Sequence, residues 1–480
     1  MELTREAIVA GLQEILGPVH VVTDEQELRE RSIDNFRKLE TIFGVWTLPL
    51  PAAVARVGST EEAAAVLAFA SEHGINVVPR TGGTATEGGL ETHVPNSIVL
   101  DGGRMNRIVS VDAYNMQATA QCGVPLQALE DEARKLGLTT GHSPQSKPVA
   151  HMGGLVATRS IGQLSTLYGG IEDMVVGLEA VFPEGGVTRI KNVPRRAAGP
   201  DIRHVVIGNE GALCFITEVT VKLFPYLPEN NTYLGWTLKS MKTGFEVLRE
   251  VMVAGYKPSV ARLYDPEDGS IHFSHFAAPD DCVLIFMAEG NAGITKATAE
   301  GIREIVARTA ACVPVESGLI ETWFNDLTWG PDKITAEDER IRTTRNVNRT
   351  TEISADWSTV NDIYEAAIGR IRSEIPDLTI LGGHSSHSYI NGTNMYFNYF
   401  YDLVDCGPEE EVTKYYLPII SIICEETLRF GGSIVHHHGI GKARAPWARD
   451  EYGSSYWMLE ALKEAFDPQG IMNRGTIIPA

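Results

Sequence analysis

The sequence predicts an α+β fold in two domains, on three observations. The chain has 480 residues, too many for one simple core. Near the start, a β-α-β pattern delivers the loop PRTGGTATEGGL, Pro79–Leu90, which holds Gly82, Gly83, Gly88 and Gly89. From about Pro228 onward, strands and helices alternate as in a cap built on an antiparallel sheet.

Residues 1–50 read as helical approach segments ending at WTLPLP, and MELTREAIVAGLQEILG as a small amphipathic helix. Val54–Val57 reads as a short strand. Ser59 or Thr60 caps the next helix, with acids in its first turn, and AAAVLAFASEHG keeps helical apolar spacing until Gly74. INVVPR is the following strand, so the glycine loop leaves a strand's C-terminal end, where ligands commonly bind. SIVLDGGRMNRI is another strand with a turn at Asp101–Gly103. SVDAYNMQATAQCGV reads as two strands and PLQALEDEARKLG as a helix stopped by Gly137. GHSPQSKPVAHMGGLVATRS shows neither helical nor strand period, and long irregular stretches of this kind are usually functional. IGNEGALCFITEVTVKLFP closes the first domain with a strand.

The cap begins with YLGWTLKSMKTGFEVLREVMVAGY, SVARLYD and CVLIFMAEG, strands alternating with helices. AGITKATAEGIREIVARTA is an amphipathic helix. ISADW opens a strand that passes into a helix, and LTILGGHSSHSYINGTNMYFNYFYDL is strand, turn, strand. Trp323–Asn348 mixes charges and aromatics without a readable period. After Leu428 the chain returns through GGSIVHHHGIGKARAPW and a helix near Tyr456–Ala465.

Composition narrows the function classes. Apolar residues make up 43% and charged residues 21%, ordinary for a globular protein. The 62 acidic and 41 basic residues give a net charge of −21, which repels nucleic acid and anionic lipid and leaves room for a local basic pocket. No apolar run is long enough for a membrane span. The N-terminal segment lacks the basic and apolar regions of a signal peptide, so a cytoplasmic location is expected. Six scattered cysteines without a C-x-x-C read as reduced thiols rather than a disulfide frame or a zinc site.

The glycine spacing is not the dinucleotide fingerprint, which wants G-x-G-x-x-G opening a helix. Here the glycines come in pairs before a strand, so phosphates would meet loop amides. Taken alone, the loop reads first as a mobile surface loop. PRTGGT and LDGGRMNRI are followed in order by TGHSPQS (Thr140–Ser146), GGLVATRSIG (Gly153–Gly162), YGGIEDMVVGLEAV (Tyr168–Val181), AGPDIRHVVIGNEGALCFITEVTVKL (Ala198–Leu223) and HHHGIGKARAPW (His436–Trp447). Together these segments resemble the PCMH-type FAD-binding (vanillyl-alcohol-oxidase) superfamily, and most closely its alkylglycerone-phosphate synthase branch.

That resemblance implies a PCMH-type FAD-binding domain over residues 1–225, a cap or substrate domain over 226–430, and a C-terminal return over 431–480. It implies that FAD is held by Pro79, Arg80, Thr81, Gly82, Gly83, Thr84 and Ala85, by Gln145, Ser146 and His151, by Thr158 and Ser160, and by Glu210, Gly211 and Ile216. Some members attach the flavin covalently through a histidine just after these glycines. Here that position is Thr84, so FAD is expected to be noncovalent, with His151 the remaining histidine for such a bond.

The chemistry is expected in the second half. His436, His437 and His438 are consecutive; in an extended segment they alternate faces, so at most two share a side unless the backbone turns. A histidine of near-neutral pKa can take a proton or stabilise an oxyanion. A hydrogen-bonded pair beside a solvated ring is the structural alternative. Tyr396, in GTNMYFNYF, falls by the resemblance on the tyrosine proposed as proton acceptor; by its aromatic neighbours it reads as a core residue. His384 and His387 lie in GGHSSHSY. His384, also a catalytic candidate, falls near a position where the synthases carry an arginine, which weighs against a phosphorylated substrate. His387 is a substrate-contact candidate. A metal site from His384, His387 and His437 or His438 has no obvious acidic ligand, and no metal is expected. Arg340 and Arg342, with Arg345 nearby, are candidates for a substrate-anchoring arginine or for a solvated helix face. Lys442 and Arg444 read as flavin or substrate contacts or as surface charges.

The expected enzyme is an FAD-dependent oxidoreductase. It would oxidise a hydroxyl-bearing small molecule by hydride transfer to flavin N5, with oxygen or another electron acceptor finishing the cycle. The resemblance also implies a synthase-like alternative, exchange of acyl for fatty alcohol through a flavin adduct without net redox. An electron-transfer flavoprotein subunit is the third reading. A homodimer is the oligomeric state expected from the resemblance.

Overall fold

The computed structural model describes residues 3–309 and 312–479. Its first sheet contains β1 (Ala53–Arg56), β2 (Val77–Arg80) and β3 (Ile98–Asp101). They are parallel in the order β1-β3-β2, and Val21–Val22 adds an antiparallel edge. Helix α1 (Thr60–His73) connects β1 to β2. Ser59 accepts from the Glu62 N–H at its start, and Gly74 ends it in the left-handed conformation at φ 65°. Ala63, Val66, Leu67 and Ala70 form its buried face. The β-α-β unit therefore releases the glycine loop at the carboxyl end of a parallel strand.

A second, antiparallel sheet holds β4 (Ile108–Asp112), β5 (Gln117–Gln121), β6 (Val175–Val181), β7 (Val187–Ile190) and β8 (Phe215–Lys222), in the order β4-β5-β8-β6-β7. The irregular stretch before β6 contains a helix that the sequence reading did not anticipate, α2 (Met152–Ala157). Its two glycines hide the helical signal. They are there for contact: a Cβ on Gly153 would lie 2.6 Å from the Cys122 Cβ.

The cap is one seven-stranded antiparallel sheet. It contains β9 (Thr232–Leu238), β10 (Val260–Tyr264), β11 (Cys282–Ala288), β12 (Val313–Val315), β13 (Asn346–Asp356), β14 (Leu378–Ser385) and β15 (Gly392–Asp402). Their order is β12-β9-β11-β10-β14-β15-β13. Helices α3 (Met241–Val253), α4 (Ala292–Ala307), α6 (Val360–Glu374) and α7 (Leu417–Arg429) send their apolar residues into one core with this sheet. The period of β15 shows the division. Met395, Phe397, Tyr399 and Tyr401 are wholly buried in that core, whereas Tyr396, Asn398 and Phe400 face a cavity.

Trp323–Asn348 resolves into the end of a helix (Ser317–Asn325), then α5 (Pro331–Thr344) and the start of β13. Helix α5 buries only Ile341 fully, which is why no apolar period marks it. The helix expected over AGITKATAEGIREIVARTA is α4; its last residue, Ala310, lies outside the described residues.

The C-terminal return reaches back to β2. Val77 donates to the Ile471 carbonyl and Asn473 donates to that of Val77, each at 2.8 Å. Lys442 Nζ donates to Gly89 O, Asn473 Oδ1 and Thr476 Oγ1. No helix among the described residues is long and apolar enough to cross a membrane. All six cysteines are free thiols, five of them buried.

Candidate active site

A cavity of about 1340 Å³ lies between the glycine-rich loops and the open face of the cap sheet. It exceeds the roughly 300–1,000 Å³ of an ordinary small-molecule site, leaving room for a dinucleotide and a further compound. Every residue expected to hold FAD lines it: Pro79–Ala85 from the first loop, Gln145, Ser146 and His151 from the second, Thr158 and Ser160 after α2, and Glu210, Gly211 and Ile216 before and within β8.

The fit to a flavin dinucleotide can be tested on this wall. Among the described residues, the N–H groups of Gly82, Gly83, Thr84 and Ala85 find no acceptor within the chain. Such a run of free amides is a phosphate cradle. Gly82 is pressed against the second loop, where a Cβ would meet Val149 O at 2.6 Å and His151 N at 2.9 Å. Arg80 gives one nitrogen to Ile33 O, but its buried Nε has no partner, and neither does the buried His151 Nδ1. Burial, with Arg31 nearby, pushes Arg80 down to about 10. These free donors suit the oxygen-rich backbone of FAD. Thr84 and His151 both line the cavity.

The opposite wall is written by strand register. Tyr264 on β10 pairs with His384 on β14, His384 with Tyr396 on β15, and Tyr396 with Glu352 on β13. Direct partners share a face, so the four form one row across the sheet. The His384 ring stacks between Tyr264 and Tyr396, with centroids 4.7 Å from each. Asp268 fixes that ring by accepting from His384 Nδ1, and Asn398 donates to the same carboxylate. Two residues before Tyr264 stands Arg262, 4% exposed. Its Nη1 donates to Tyr264 Oη at 2.6 Å, its plane lies over Trp323, and its Nε has no partner.

The three histidines do not form a strand. The chain bends around Glu352, whose carboxylate accepts the N–H groups of His436 at 2.6 Å, His437 at 3.4 Å and His438 at 2.8 Å. On the far side Glu210 accepts from Ile440 and Gly441, both at 2.8 Å. Gly439 permits this approach: it has φ +86°, and a Cβ there would lie 2.8 Å from the Glu210 carboxyl. Burial would raise the Glu352 pKa, but Arg444 and the loop's imidazoles and N–H groups hold it below the usual range. At Glu210 burial prevails over the two N–H groups and pushes the carboxyl up to about 7.

The turn brings His437 and His438 to the cavity and leaves His436 behind them. Tyr396 Oη lies 2.6 Å from His437 Nε2 and 3.4 Å from His438 Nε2. His437 Nδ1 lies 2.7 Å from His436 Nδ1, and His436 Nε2 lies 2.8 Å from Tyr389 Oη. Burial, reinforced by neighbouring rings, holds His437 well below the usual range; His436 is pushed down to about 4. Burial and then Glu352 hold Tyr396 above the ordinary phenol range. The pair therefore sits as neutral phenol and neutral imidazole. His387 lines the cavity and shares a hydrogen with Ser165 Oγ at 2.7 Å.

Two expectations need correction. Arg340 and Arg342 do not reach the cavity. Arg340 is bound to Asn346 and Asn348 at the start of β13, and Arg342 to Glu339 and Ile42 O. Arg345 turns away to Cys406 O. Arg444 is neither a surface charge nor a cavity residue. Wholly buried, it joins Glu87 of the first loop at 3.0 Å to Glu352 O and Ile434 O. Sequence reasoning missed Arg262, Asp268 and Glu352. For Arg262 and Glu352 only the strand alternation of SVARLYD and of TTEISAD carried a signal, and it does not say which face meets a ligand; Asp268, in the helix Pro266–Phe273 that follows, had none.

Residues 51–191 match the FAD binding domain family, and residues 227–477 match FAD linked oxidases, C-terminal domain. The uncharacterized FAD-linked oxidoreductase YgcU of Escherichia coli (strain K12) is 65% identical over 482 residues, spanning 100% of this chain and 99% of that protein. An alkyldihydroxyacetonephosphate synthase of Dictyostelium discoideum is 27% identical over 455 residues, 88% of this chain and 72% of that one. The glycolate oxidase subunit GlcD of Bacillus subtilis (strain 168) is 26% identical over 436 residues, 89% and 88% of the two chains. A solved alkyldihydroxyacetonephosphate synthase shares the fold, with a TM-score of 0.79 and 22% identity over 98% of this chain and 86% of its own. The loops that suit FAD, the two-domain architecture and these matches agree: the chain belongs to the FAD-linked oxidoreductases, enzymes that join an FAD binding domain to an FAD-linked oxidase C-terminal domain.

Proposed function

We propose that the protein oxidises a small hydroxyl-bearing acid, using noncovalently bound FAD and passing the electrons to oxygen or another acceptor. The observation that carries this reading is the pairing, on one cavity wall, of a proton-accepting end with an anion-binding end. Tyr396 and His437, in contact at 2.6 Å, form the first. Arg262 forms the second. It makes no ion pair with a carboxylate among the described residues, because Asp265 is committed to Tyr364 and Gly383, and Asp268 to His384 and Asn398. A buried cation without a counter-ion is costly, and a substrate carboxylate would match its planar fork.

The bound flavin supplies the two-electron acceptor. The protein's part is to place the substrate and move its proton. Arg262 holds the acid group, His384 is oriented by Asp268 along the substrate's path, and Tyr396 takes the hydroxyl proton as its own passes to His437. Relatives named as a glycolate oxidase subunit and as FAD-linked oxidoreductases favour this reading. The synthase relatives favour a second, acyl-for-alcohol exchange.

One experiment separates them. The purified yellow protein is mixed anaerobically with glycolate, lactate, benzyl alcohol and a phenol, and separately with an acyl dihydroxyacetone phosphate. Bleaching of the flavin by a hydroxy acid, reversed by air, is the expected result. Ether formation without bleaching would establish the exchange reaction instead.

A further inference from the structure

The oxidative reading releases the substrate's hydroxyl proton in a site whose bases are buried, and a chain of side chains leads away from it. Four side chains stand in unbroken hydrogen-bond contact: Tyr396 Oη to His437 Nε2 at 2.6 Å, His437 Nδ1 to His436 Nδ1 at 2.7 Å, and His436 Nε2 to Tyr389 Oη at 2.8 Å. Tyr396 and His437 line the cavity; His436 and Tyr389 do not. Tyr389 is half-buried, beside Ile390, which is 68% exposed. Each imidazole uses both of its nitrogens within the chain, one toward the cavity and one away from it. We propose that Tyr396, His437, His436 and Tyr389 form a proton relay between the substrate and solvent.

The relay assigns its hydrogens a single direction. Tyr396 donates to His437 Nε2, His437 Nδ1–H to His436 Nδ1, and His436 Nε2–H to Tyr389 Oη. When the substrate hydroxyl gives its proton to Tyr396, each member passes its own hydrogen onward, and Tyr389 releases one to water. One O–H bond of the substrate breaks and one proton reaches solvent, while the two electrons leave with the C–H hydrogen as hydride. When oxygen takes those electrons as hydrogen peroxide, one proton returns inward along the same bonds and restores the original tautomers. No member need ever carry a lasting charge, which suits a pocket that penalises charged rings. The surroundings fix the rings without breaking the chain. Glu352 grips the backbone N–H groups of all three histidines. His387 stacks on His436 and meets His437 edge-on. His438 and Arg444 flank His437, and Glu172 and Asp173 face Tyr389.

The relay rests on the oxidative reading, so its test has an arm that needs no substrate. The FAD-loaded protein is labelled with ¹⁵N-histidine and the imidazole tautomers are read by NMR. Expected are His437 protonated at Nδ1 alone and His436 at Nε2 alone, with both signals moving in Tyr389→Phe. The kinetic arm follows anaerobic flavin reduction by glycolate or lactate. Tyr389→Phe should keep its flavin and melting temperature, slow reduction by roughly 10²-fold, and recover part of the rate in imidazole buffer. A merely structural role gives no such rescue. Unmoved imidazole signals in Tyr389→Phe would overturn the relay, as would wild-type reduction rates or stoichiometric zinc bound by His387, His436 and His437, whose ring nitrogens lie within 4.8 Å of one another. If none of these compounds reduces the flavin, the oxidative reading fails while the tautomer arm still decides the relay.

Discussion

The two walls of the cavity are made in opposite ways. The flavin wall presents backbone: glycines, free N–H groups and few charged side chains. The cap wall presents side chains: a cross-strand row of Tyr264, His384 and Tyr396, with Arg262 beside it and Glu352 continuing the row beneath the histidine turn. Backbone donors recognise a cofactor whose shape is constant. Side chains on a rigid sheet can be exchanged singly without moving the frame, so substrate choice is placed there. Damage to the first wall should therefore remove the cofactor, and damage to the second should remove only the reaction.

The largest effect is expected from Gly82→Val. Its Cβ would press into Val149 O and His151 N, and the expected outcome is protein purified without flavin, read as the ratio of visible to ultraviolet absorbance. Full flavin content would break the comparison at once. Next come Tyr396→Phe and His437→Ala, which should keep FAD and lower the reduction rate by roughly 10²- to 10⁴-fold, the range for positioned acid–base groups. Wild-type rates in both would take the pair out of the mechanism. Arg262→Met should weaken acidic substrates by about 1.5–3 kcal/mol, roughly 10- to 10²-fold in KM, while leaving neutral alcohols unchanged. An equal loss for both classes would deny it the anion-binding role.

The smallest effect concerns pH. The Glu210 carboxyl is raised by burial to about 7 in the folded protein, so the unfolded chain ionises first as pH rises. Its stabilising share is complete below about pH 4.3, the ordinary glutamate value, and is lost as pH climbs through about 7. Glu210→Gln should flatten that part of the melting-temperature profile. Glu352 has the opposite shift, so Glu352→Gln should lose stability that is present above the ordinary carboxylate range.

The flavin wall was legible in the sequence because its signals are local. Pro79–Ala85 and Glu210–Ile216 are short contiguous runs, and their glycines announce close backbone approach wherever they fold. The cap wall is assembled from four strands, β10, β13 and the hairpin β14–β15, which the chain reaches more than a hundred residues after β10. Tyr396 and the histidines were found through their motif. Arg262 was not, because an arginine two residues before a tyrosine in a buried strand looks like any other until register shows which face is open. Arg340 and Arg342 failed for the converse reason: a basic cluster near a predicted substrate segment says nothing of direction, and α5 turns them toward β13 and α5's own Glu339. The bend at His436–His438 was equally unreadable, because the carboxylate that causes it, Glu352, lies some eighty positions upstream.

The clamp on that bend has a consequence for biosynthesis. Glu87, Glu210 and Glu352 are translated early and buried late, and each waits for a partner between His436 and Arg444. Until the ribosome has made that segment, three carboxylates destined for the interior lack its donors, and the loop at Gly89 lacks the anchors Lys442 and Asn473. The site that suits FAD is therefore complete only once the last part of the chain is in place. An interrupted chain would carry most of both folding units and still emerge colourless.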